Sequence, residues 1–383
     1  ASPVLSKAPG SRACTCLTML AYGMKTIKGC RQENQDDAVV LDRYAEFPDA
    51  TLVGVFDGHG VNGKFASKFI RVNVPGTISR SKEFVTGNFA DGLAKGLVDV
   101  NNQLKRSPDS DVTYSGSTAC LALVKGSKVI VANVGDSRAV IGHVTSVDPP
   151  AADVAASAAA STSTSPTRPG TGAPSRQKTP NAGAMRPSTV VTETRWEWTA
   201  VNLSDDHRPT RPDEATRIEE AGGRIDCMRL DGEPYGPYRV YDGDKDVPGC
   251  MLTRSMGDCG VSCGVIAEPE VREYDFDPAV DKFLILATDG VWEHLSSEAA
   301  VHCVAEHIAE PNNAAKTLAE MAWVAWQAAD PEGAIDDITV VIINLEATTA
   351  INDEDSDDSD GSSHYRKKKV QKARSPSRMP DAG

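Results

Sequence analysis

Acidic residues stand at the ends of three apolar segments that lie far apart in the chain. Asp57 follows the segment LVGVF, Asp289 follows FLILAT, and Asp336 with Asp337 precedes ITVVIINL. A further acidic group closes the segment RQENQDD and includes Asp36. Crowding carboxylates into one pocket is unfavourable, and a hard divalent cation such as Mg2+ or Mn2+ is the usual compensation because it prefers oxygen ligands. The sequence therefore predicts a metal site built from strand ends.

Metal ions held in this way could carry out hydrolysis. A divalent cation lowers the pKa of a bound water, and two ions roughly 4 Å apart can stabilise the attacking and the leaving oxygen of a phosphoryl transfer. Such chemistry needs no nucleophilic side chain. A single aspartate at a strand end could simply cap a turn. Acidic residues at the ends of three separate strands instead favour a metal centre.

The segments that must position these residues have the patterns of short strands and a few helices. Apolar runs bounded by Gly, Asp and Asn predict strands over 38–42, 51–56, 119–125, 128–134, 139–143, 195–203, 283–287 and 339–345. Apolar residues recurring at three and four predict helices over 63–72, 84–105, 212–221, 297–307 and 313–329. The run Gly126-Ser127 between two strands predicts a hairpin, hence antiparallel sheets and an α+β rather than a doubly wound fold.

The chain divides into one catalytic domain with appendages. We predict the domain over residues 22–345, after an extension over 1–21. Residues 148–194 contain mainly Ala, Ser, Thr and Pro, so they cannot bury enough surface to offset ordering entropy, and we expect a flexible insertion. Residues 346–383 form a tail that is acidic over 353–360 and basic over 366–378. The basic block could be a nuclear-import signal or simply a solvated charged tail.

Bulk properties exclude several classes of protein. A formal charge of -14 argues against a nucleic-acid partner, because phosphate backbones are met by clustered Lys and Arg. No run of 18 apolar residues occurs, so we expect no membrane span. Nine scattered cysteines indicate free thiols in a reducing compartment rather than a disulfide framework. We therefore expect a cytoplasmic or nuclear protein.

Nine motifs follow one another through the predicted domain. They are RQENQDD, VFDGHG, GSTACLALV, ANVGDSRAVI, LSDDHRP, RIEEAGGRI, LTRSMGD, ATDGVWEHL and IDDITVVI. In this order they resemble the metal-dependent protein phosphatases, also called protein phosphatase type 2C. The resemblance implies two antiparallel β-sheets packed face to face and flanked by helices. It also implies an enzyme, which we expect to be a monomer, that hydrolyses phosphoserine and phosphothreonine in phosphoproteins by direct attack of a metal-activated water.

The same resemblance assigns the metal ligands of two Mg2+ or Mn2+ ions and a weaker third ion. Asp57 would bridge the two main ions, with the Gly58 carbonyl on one of them. Asp289 and Asp336 would bind the other ion. Asp136, in the motif GDSR, would hold the third.

Two further residues would act on the substrate together with the bridging aspartate. Arg31 would grip the phosphate, because a planar guanidinium meets two phosphate oxygens at once. His59 would protonate the departing seryl or threonyl oxygen, a role that suits an imidazole titrating near neutrality. A lone histidine is more often structural, but its position directly after Asp57 and Gly58 favours catalysis.

Some positions depart from the family pattern or leave alternatives open. Gln35 stands where many relatives have Glu, so it offers only an amide oxygen and Asp36 would carry more of the water-mediated metal coordination. Glu293 stands where Asp is common, which puts the geometry of the third ion in question. Residues 204–260 correspond to a flap beside the active site, where Arg254 and Asp258 could fix the flap to the core or form a purely structural ion pair.

Other functional classes fit less well. The stretch GHGVNGKF satisfies GxGxxG, but no returning parallel strand is expected and Phe65 replaces the hydroxyl residue of a phosphate-binding loop. No cysteine stands six residues before an arginine, as cysteine-based phosphatases need, and the GNHE element of histidine-rich metallophosphatases does not occur. A degenerate phosphatase that only binds partners stays open because of Gln35.

Overall fold

The computed structural model describes residues 20–109, 111–147, 195–230, 232–245, 249–331 and 333–346. The predicted insertion over 148–194, nearly all of the predicted N-terminal extension and the tail beyond residue 346 lie outside the described residues. The described residues all belong to one compact unit.

The strands are short and occur along the whole described chain. They are β1 (Tyr22–Ile27), β2 (Asp37–Asp42), β3 (Ala50–Phe56), β4 (Gly58–His59), β5 (Gly116–Ser117), β6 (Ala119–Lys125), β7 (Lys128–Val134), β8 (Arg138–Val147), β9 (Arg195–Asn202), β10 (Arg224–Leu230), β11 (Glu233–Tyr241), β12 (Met256–Gly257), β13 (Glu270–Asp275), β14 (Asp281–Ala287) and β15 (Ile338–Asn344). The helices are α1 (Gly63–Arg80), α2 (Lys82–Val85), α3 (Phe89–Leu104), α4 (Pro212–Glu220), α5 (Asp289–Trp292), α6 (Ser297–Ala305) and α7 (Pro311–Ala329), with a 3-10 turn at Tyr44–Glu46.

Two five-stranded sheets dominate the described structure. One has the order β1-β15-β14-β8-β9 and the other β13-β7-β6-β3-β2, with every strand pair antiparallel. A three-stranded sheet, β12-β5-β4, and the hairpin β10-β11 are smaller. The predicted flap over 204–260 contains α4, this hairpin and β12.

The side chains of the central strands alternate between the two faces of each sheet, and this alternation explains how the sheets and helices are layered. In β3, Val53 and Val55 belong to an apolar cluster that also contains Leu284 of the other sheet, whereas Leu52 and Phe56 pack in a cluster with α1 and α3. Because successive side chains of a strand point to opposite faces, each sheet contacts its partner sheet on one side and helices on the other.

Strand β14 shows the same alternation in the second sheet. Phe283 and Ile285 share a cluster with Val301 of α6 and Leu318 of α7. The order is therefore helices, sheet, sheet, helices, and the predicted α+β sandwich of two antiparallel sheets is confirmed.

Some element bounds were wrong. The predicted helix over 84–105 is two helices, because Gly87 adopts φ 86° and Asn88 caps α3 by accepting from the Asp91 N–H at 3.4 Å. Helix α1 continues past Val72 to Arg80, although Pro75 lies inside it. The sequence analysis did not predict β1, β13 or the hairpin β10-β11. Within the described part of the chain, no helix has the length and apolar character needed to cross a membrane.

Candidate active site

Strand ends deliver the predicted carboxylates to one cavity. Asp57 follows β3, Asp289 begins α5 directly after β14, and Asp336 lies two residues before β15. All three line a cavity of about 240 Å³, together with Arg31 and Asp136. Small-molecule sites usually measure roughly 300–1,000 Å³, so this cavity is a small one. The structure thus brings together residues that are 279 positions apart in sequence (336 − 57).

Asp36 and Gly58 are buried but are not among the residues that line the cavity. Asp36 precedes β2, the neighbour of β3, and its Oδ2 accepts a hydrogen bond from the Thr288 hydroxyl at 2.9 Å. A Cβ added to Gly58 would lie 2.3 Å from the Gly63 carbonyl oxygen, so only glycine fits between β3 and the start of α1.

Several buried carboxylates lie in and next to the cavity. Burial, followed by repulsion from neighbouring aspartates, raises the pKa of Asp289 to about 6, of Asp36 to about 7 and of Asp136 to about 8. The same causes raise the pKa of Asp57 well above its ordinary value. The Oδ1 atoms of Asp36 and Asp289 are buried without a hydrogen-bond partner. An all-oxygen set of this kind, with free carboxylate oxygens, fits hard divalent cations.

The carboxylates do not form one tight cage. Among the described residues, the only triplets of potential ligand atoms within 4.8 Å of one another are His59–Cys250–Asp258 and Asp213–Glu214–Glu270. Asp336 instead pairs with Arg31 at 3.0 Å, and Asp136 pairs with Arg208 at 3.2 Å. These two carboxylates are therefore paired with guanidinium groups in the described structure.

Arg31 is positioned by an aspartate to which the sequence analysis gave no role. Asp337 is buried, and its carboxylate accepts the main-chain N–H groups of Gly29 at 2.7 Å and Gln35 at 2.8 Å. These two bonds fix both ends of the loop that carries Arg31. Because consecutive side chains of an extended segment point opposite ways, Asp336 lines the cavity while Asp337 holds the loop. The doublet Asp-Asp before a strand was the available signal.

His59 lies in β4 and forms a close pair with Asp258, whose carboxylate Oδ2 is 2.7 Å from the His59 Nε2. Burial acts to lower the pKa of His59, but the Asp258 carboxylate outweighs it and the pKa is raised. Burial acts to raise the pKa of Asp258, yet His59 holds it below its ordinary value. The imidazole therefore keeps its proton readily. Arg254 pairs with Glu214 of the flap at 2.7 Å and with Glu270 of β13 at 3.2 Å, so both alternatives for this residue stay open.

Gln35 and Glu293, the two residues that depart from the family pattern, both form hydrogen bonds. The Gln35 amide nitrogen donates to the Gly60 carbonyl at 2.9 Å, so this side chain steadies the turn after His59. Glu293 receives a hydrogen bond from Arg208 at 2.9 Å and does not line the cavity. Arg208, in the motif LSDDHRP, thus links Glu293 to Asp136, a connection that the sequence analysis missed.

Comparisons with known proteins show what the whole chain is similar to. The family model described as protein phosphatase 2C matches residues 20–147 and 192–326, so the match ends before Asp336. The probable protein phosphatase 2C 72 of Arabidopsis thaliana is 31% identical over 331 residues, covering 84% of both chains. The probable protein phosphatase 2C 48 of Oryza sativa subsp. japonica is 33% identical over 336 residues, covering 82% of this chain and 81% of that one. The crystal structure of serine-threonine phosphatase 2C from Toxoplasma gondii has a TM-score of 0.60 at 20% identity, covers 85% of this chain and 94% of that chain, and supports the fold.

Proposed function

Because this chain belongs to the protein phosphatase 2C family and is a metal-dependent serine/threonine protein phosphatase, we propose that its cavity works with two Mg2+ or Mn2+ ions. The observation that supports these ions is the crowd of buried carboxylates with raised pKa values, two of which carry an oxygen without a hydrogen-bond partner, on Asp36 and Asp289. Hard cations satisfy such oxygens, whereas softer metals prefer nitrogen and sulfur.

In this proposal each acidic segment contributes a ligand. Asp57, the Gly58 carbonyl, Asp289 and Asp336 would hold these two ions. Asp136 belongs to a weaker third site. When bound, the ions supply the charge that lowers the pKa of the attacking water and neutralises the phosphate oxygens. Asp36, buried behind the cavity, takes part through water.

Arg31 receives the phosphate. Its side chain is 39% exposed while its guanidinium lies 3.0 Å from the Asp336 carboxylate, so it can turn toward two oxygens of an incoming phosphate without a change of the main chain. The bonds from Asp337 keep the loop in place while the side chain moves. Removal of the guanidinium should therefore weaken substrate binding as well as turnover.

His59 supplies the proton that the departing seryl or threonyl oxygen needs. The imidazole lines the cavity and holds its proton toward Asp258 at 2.7 Å. The imidazolium donates its other ring proton to the leaving oxygen, which produces a neutral serine or threonine and a neutral imidazole still hydrogen-bonded to Asp258. Asp258 is a positioning residue, since it orients the ring and raises its pKa without reaching the phosphate.

The test is hydrolysis of p-nitrophenyl phosphate and of a phosphothreonine peptide with Mn2+, then with EDTA. We expect metal-dependent turnover that Asp57→Asn abolishes and that Asp244→Asn, which removes a charge from an exposed flap position, retains. If the purified chain shows no metal-dependent turnover at any pH, the alternative of a degenerate phosphatase that binds partners is favoured.

The cellular place and assembly are part of the proposal. We propose a monomer that acts on phosphoproteins in the cytoplasm or nucleus, on the basis of the acidic composition, the free cysteines and the basic block over 366–378. Deletion of residues 366–383 from a fluorescent fusion tests the block. Unchanged nuclear accumulation would eliminate it as an import signal.

A further inference from the structure

A second set of potential metal ligands lies on the flap side of the same cavity. One ligand atom from each of His59, Cys250 and Asp258 lies within 4.8 Å of the other two. All three residues line the cavity. We propose that this triplet captures a borderline or soft divalent cation, Zn2+ foremost, and that the captured ion blocks the enzyme.

The donor atoms distinguish this site from the carboxylate cluster. Nitrogen, sulfur and one carboxylate oxygen form a set typical of zinc, which binds three protein ligands and leaves a fourth position open in reactive sites. Mg2+ and Mn2+ prefer oxygen, so they should leave the triplet vacant even in excess. Cys250 gives the site its selectivity for a soft ion over Mg2+ and Mn2+, because a thiolate is the strongest of the three ligands for a soft ion.

The required movement is small. Zinc–ligand bonds of about 2.0–2.3 Å at tetrahedral angles place neighbouring ligand atoms roughly 3.4 Å apart. The His59 Nε2 and the Asp258 Oδ2 are 2.7 Å apart and would open by a few tenths of an ångström, while the thiol would approach from within 4.8 Å. The ion would take the place of the proton that His59 and Asp258 now share.

The main chain holds the three ligands on separate segments. The Cys250 N–H donates to the Val240 carbonyl at 2.9 Å and its carbonyl accepts from the Val240 N–H at 2.7 Å, so it is fixed to β11. The Asp258 N–H donates to the Ser115 carbonyl at 3.0 Å, and His59 lies in β4. A shared ion would therefore tie the flap hairpin to the core of the protein.

The other triplet in the described structure carries no such proposal. Asp213 pairs with Arg211, whose guanidinium also binds Glu270, and Glu214 pairs with Arg254 at 2.7 Å. Those carboxylates are already neutralised by guanidinium groups, so a cation would have to break ion pairs to enter.

The Cys250 thiol resists oxidation, and metal binding must displace its proton. Burial, and then the nearby Asp258, raise its pKa well above the ordinary value. A neutral thiol reacts slowly with peroxides. A bound cation displaces the thiol proton to solvent, as metal sites built from cysteine do.

The inhibitory consequence rests on the proposed function. An ion on the His59 Nε2 prevents the ring from becoming the imidazolium that protonates the leaving oxygen. Binding of the ion does not depend on turnover, so the two claims can be tested separately.

Inhibition is measured with saturating Mg2+ while Zn2+ is titrated into the parent chain, Cys250→Ser, Cys250→Ala and the matched control Cys259→Ser. Cys259 is an exposed cysteine next to Asp258 that lies outside the triplet. Relative to each variant's own rate, half-inhibition of both Cys250 variants should need at least about tenfold more Zn2+, since loss of an outer-shell partner alone costs about 10–100-fold in affinity. Equal inhibition of all four proteins would mean that Zn2+ acts at the carboxylate cluster, and would overturn the proposal.

Binding is measured without turnover through the ultraviolet charge-transfer band of cadmium thiolate. The band of the parent chain and of Cys259→Ser should exceed that of the Cys250 variants by the absorbance of one cadmium-bound thiolate. Added Zn2+ should displace the Cd2+ and remove this difference. Equal bands in all variants, with thermal unfolding showing that each is folded, would also overturn the site. If no variant hydrolyses phosphoester, the proposed function fails, and the cadmium band still decides whether the triplet binds metal.

Discussion

Replacing Asp289 with Asn should stabilise the metal-free protein while abolishing its turnover. Burial and then the neighbouring Asp336 raise the pKa of Asp289 from 3.8 to about 6. A folded-state pKa above the unfolded value means that the folded state binds the extra proton, so ionisation at neutral pH opposes folding. Roughly two pKa units at about 1.4 kcal/mol each give about 3 kcal/mol as an upper value. Because the neighbouring carboxylates share the relief of repulsion, we expect a gain of about 1–3 kcal/mol.

The pH dependence of this gain fixes its origin. The gain should be complete above about pH 6, and it should vanish as the pH falls toward about 4, where Asp289 is protonated in both states. Thermal unfolding in EDTA should show the asparagine variant melting roughly 2–10 °C higher at neutral pH. Asp244→Asn is the charge-matched control at an exposed position. A variant that melts at or below the parent in EDTA, or one that keeps metal-dependent turnover, would refute the reasoning.

Three further predictions follow from the residues around the cavity. His59→Gln should slow hydrolysis of alkyl phosphoesters by about 10²–10⁴-fold. Hydrolysis of p-nitrophenyl phosphate should slow much less, because its leaving group scarcely needs a proton. Equal losses on the two substrates would remove the general-acid role. Asp258→Asn removes the carboxylate that raises the pKa of His59. In a plot of kcat against pH for alkyl phosphoesters, the alkaline limb should therefore move to lower pH. An unmoved limb would contradict the pairing of His59 with Asp258. Asp337→Ala leaves two main-chain N–H groups without their acceptor, so it should lower the free energy of unfolding by about 3 kcal/mol. It should also raise KM, because the loop that carries Arg31 loses its anchor. An unchanged KM would show that this loop does not affect substrate binding.

Much of the scaffold could be predicted because its signals are local. The strands over 119–125 and 128–134 coincide with β6 and β7, since an apolar run on either side of Gly126 is a strong hairpin signal and Gly126 adopts φ 58°. The positions of Asp57 and Asp289 at strand ends followed from the same apolar runs. The break at Gly87 was missed because apolar periodicity continues through it, and only the main-chain conformation shows the turn.

The pairings inside the site could not be predicted, because they join distant parts of the chain. The bond between His59 and Asp258 spans 199 positions, and the bond from Gly29 to Asp337 spans 308. Composition and spacing state which residue types are present, but a pairing across such distances depends on how the two sheets pack. The roles assigned to the metal ligands stay predictions.

The dependence of Arg31 on Asp337 has a consequence for synthesis of the protein. Strand β1 pairs with β15, and the loop after β1 is fastened by an aspartate that leaves the ribosome some three hundred residues later. A nascent chain therefore cannot pair β1 or complete the loop that carries Arg31 until β15 has emerged. Products that terminate before Asp336 lack that carboxylate and the fastening of Arg31, so they should be catalytically silent.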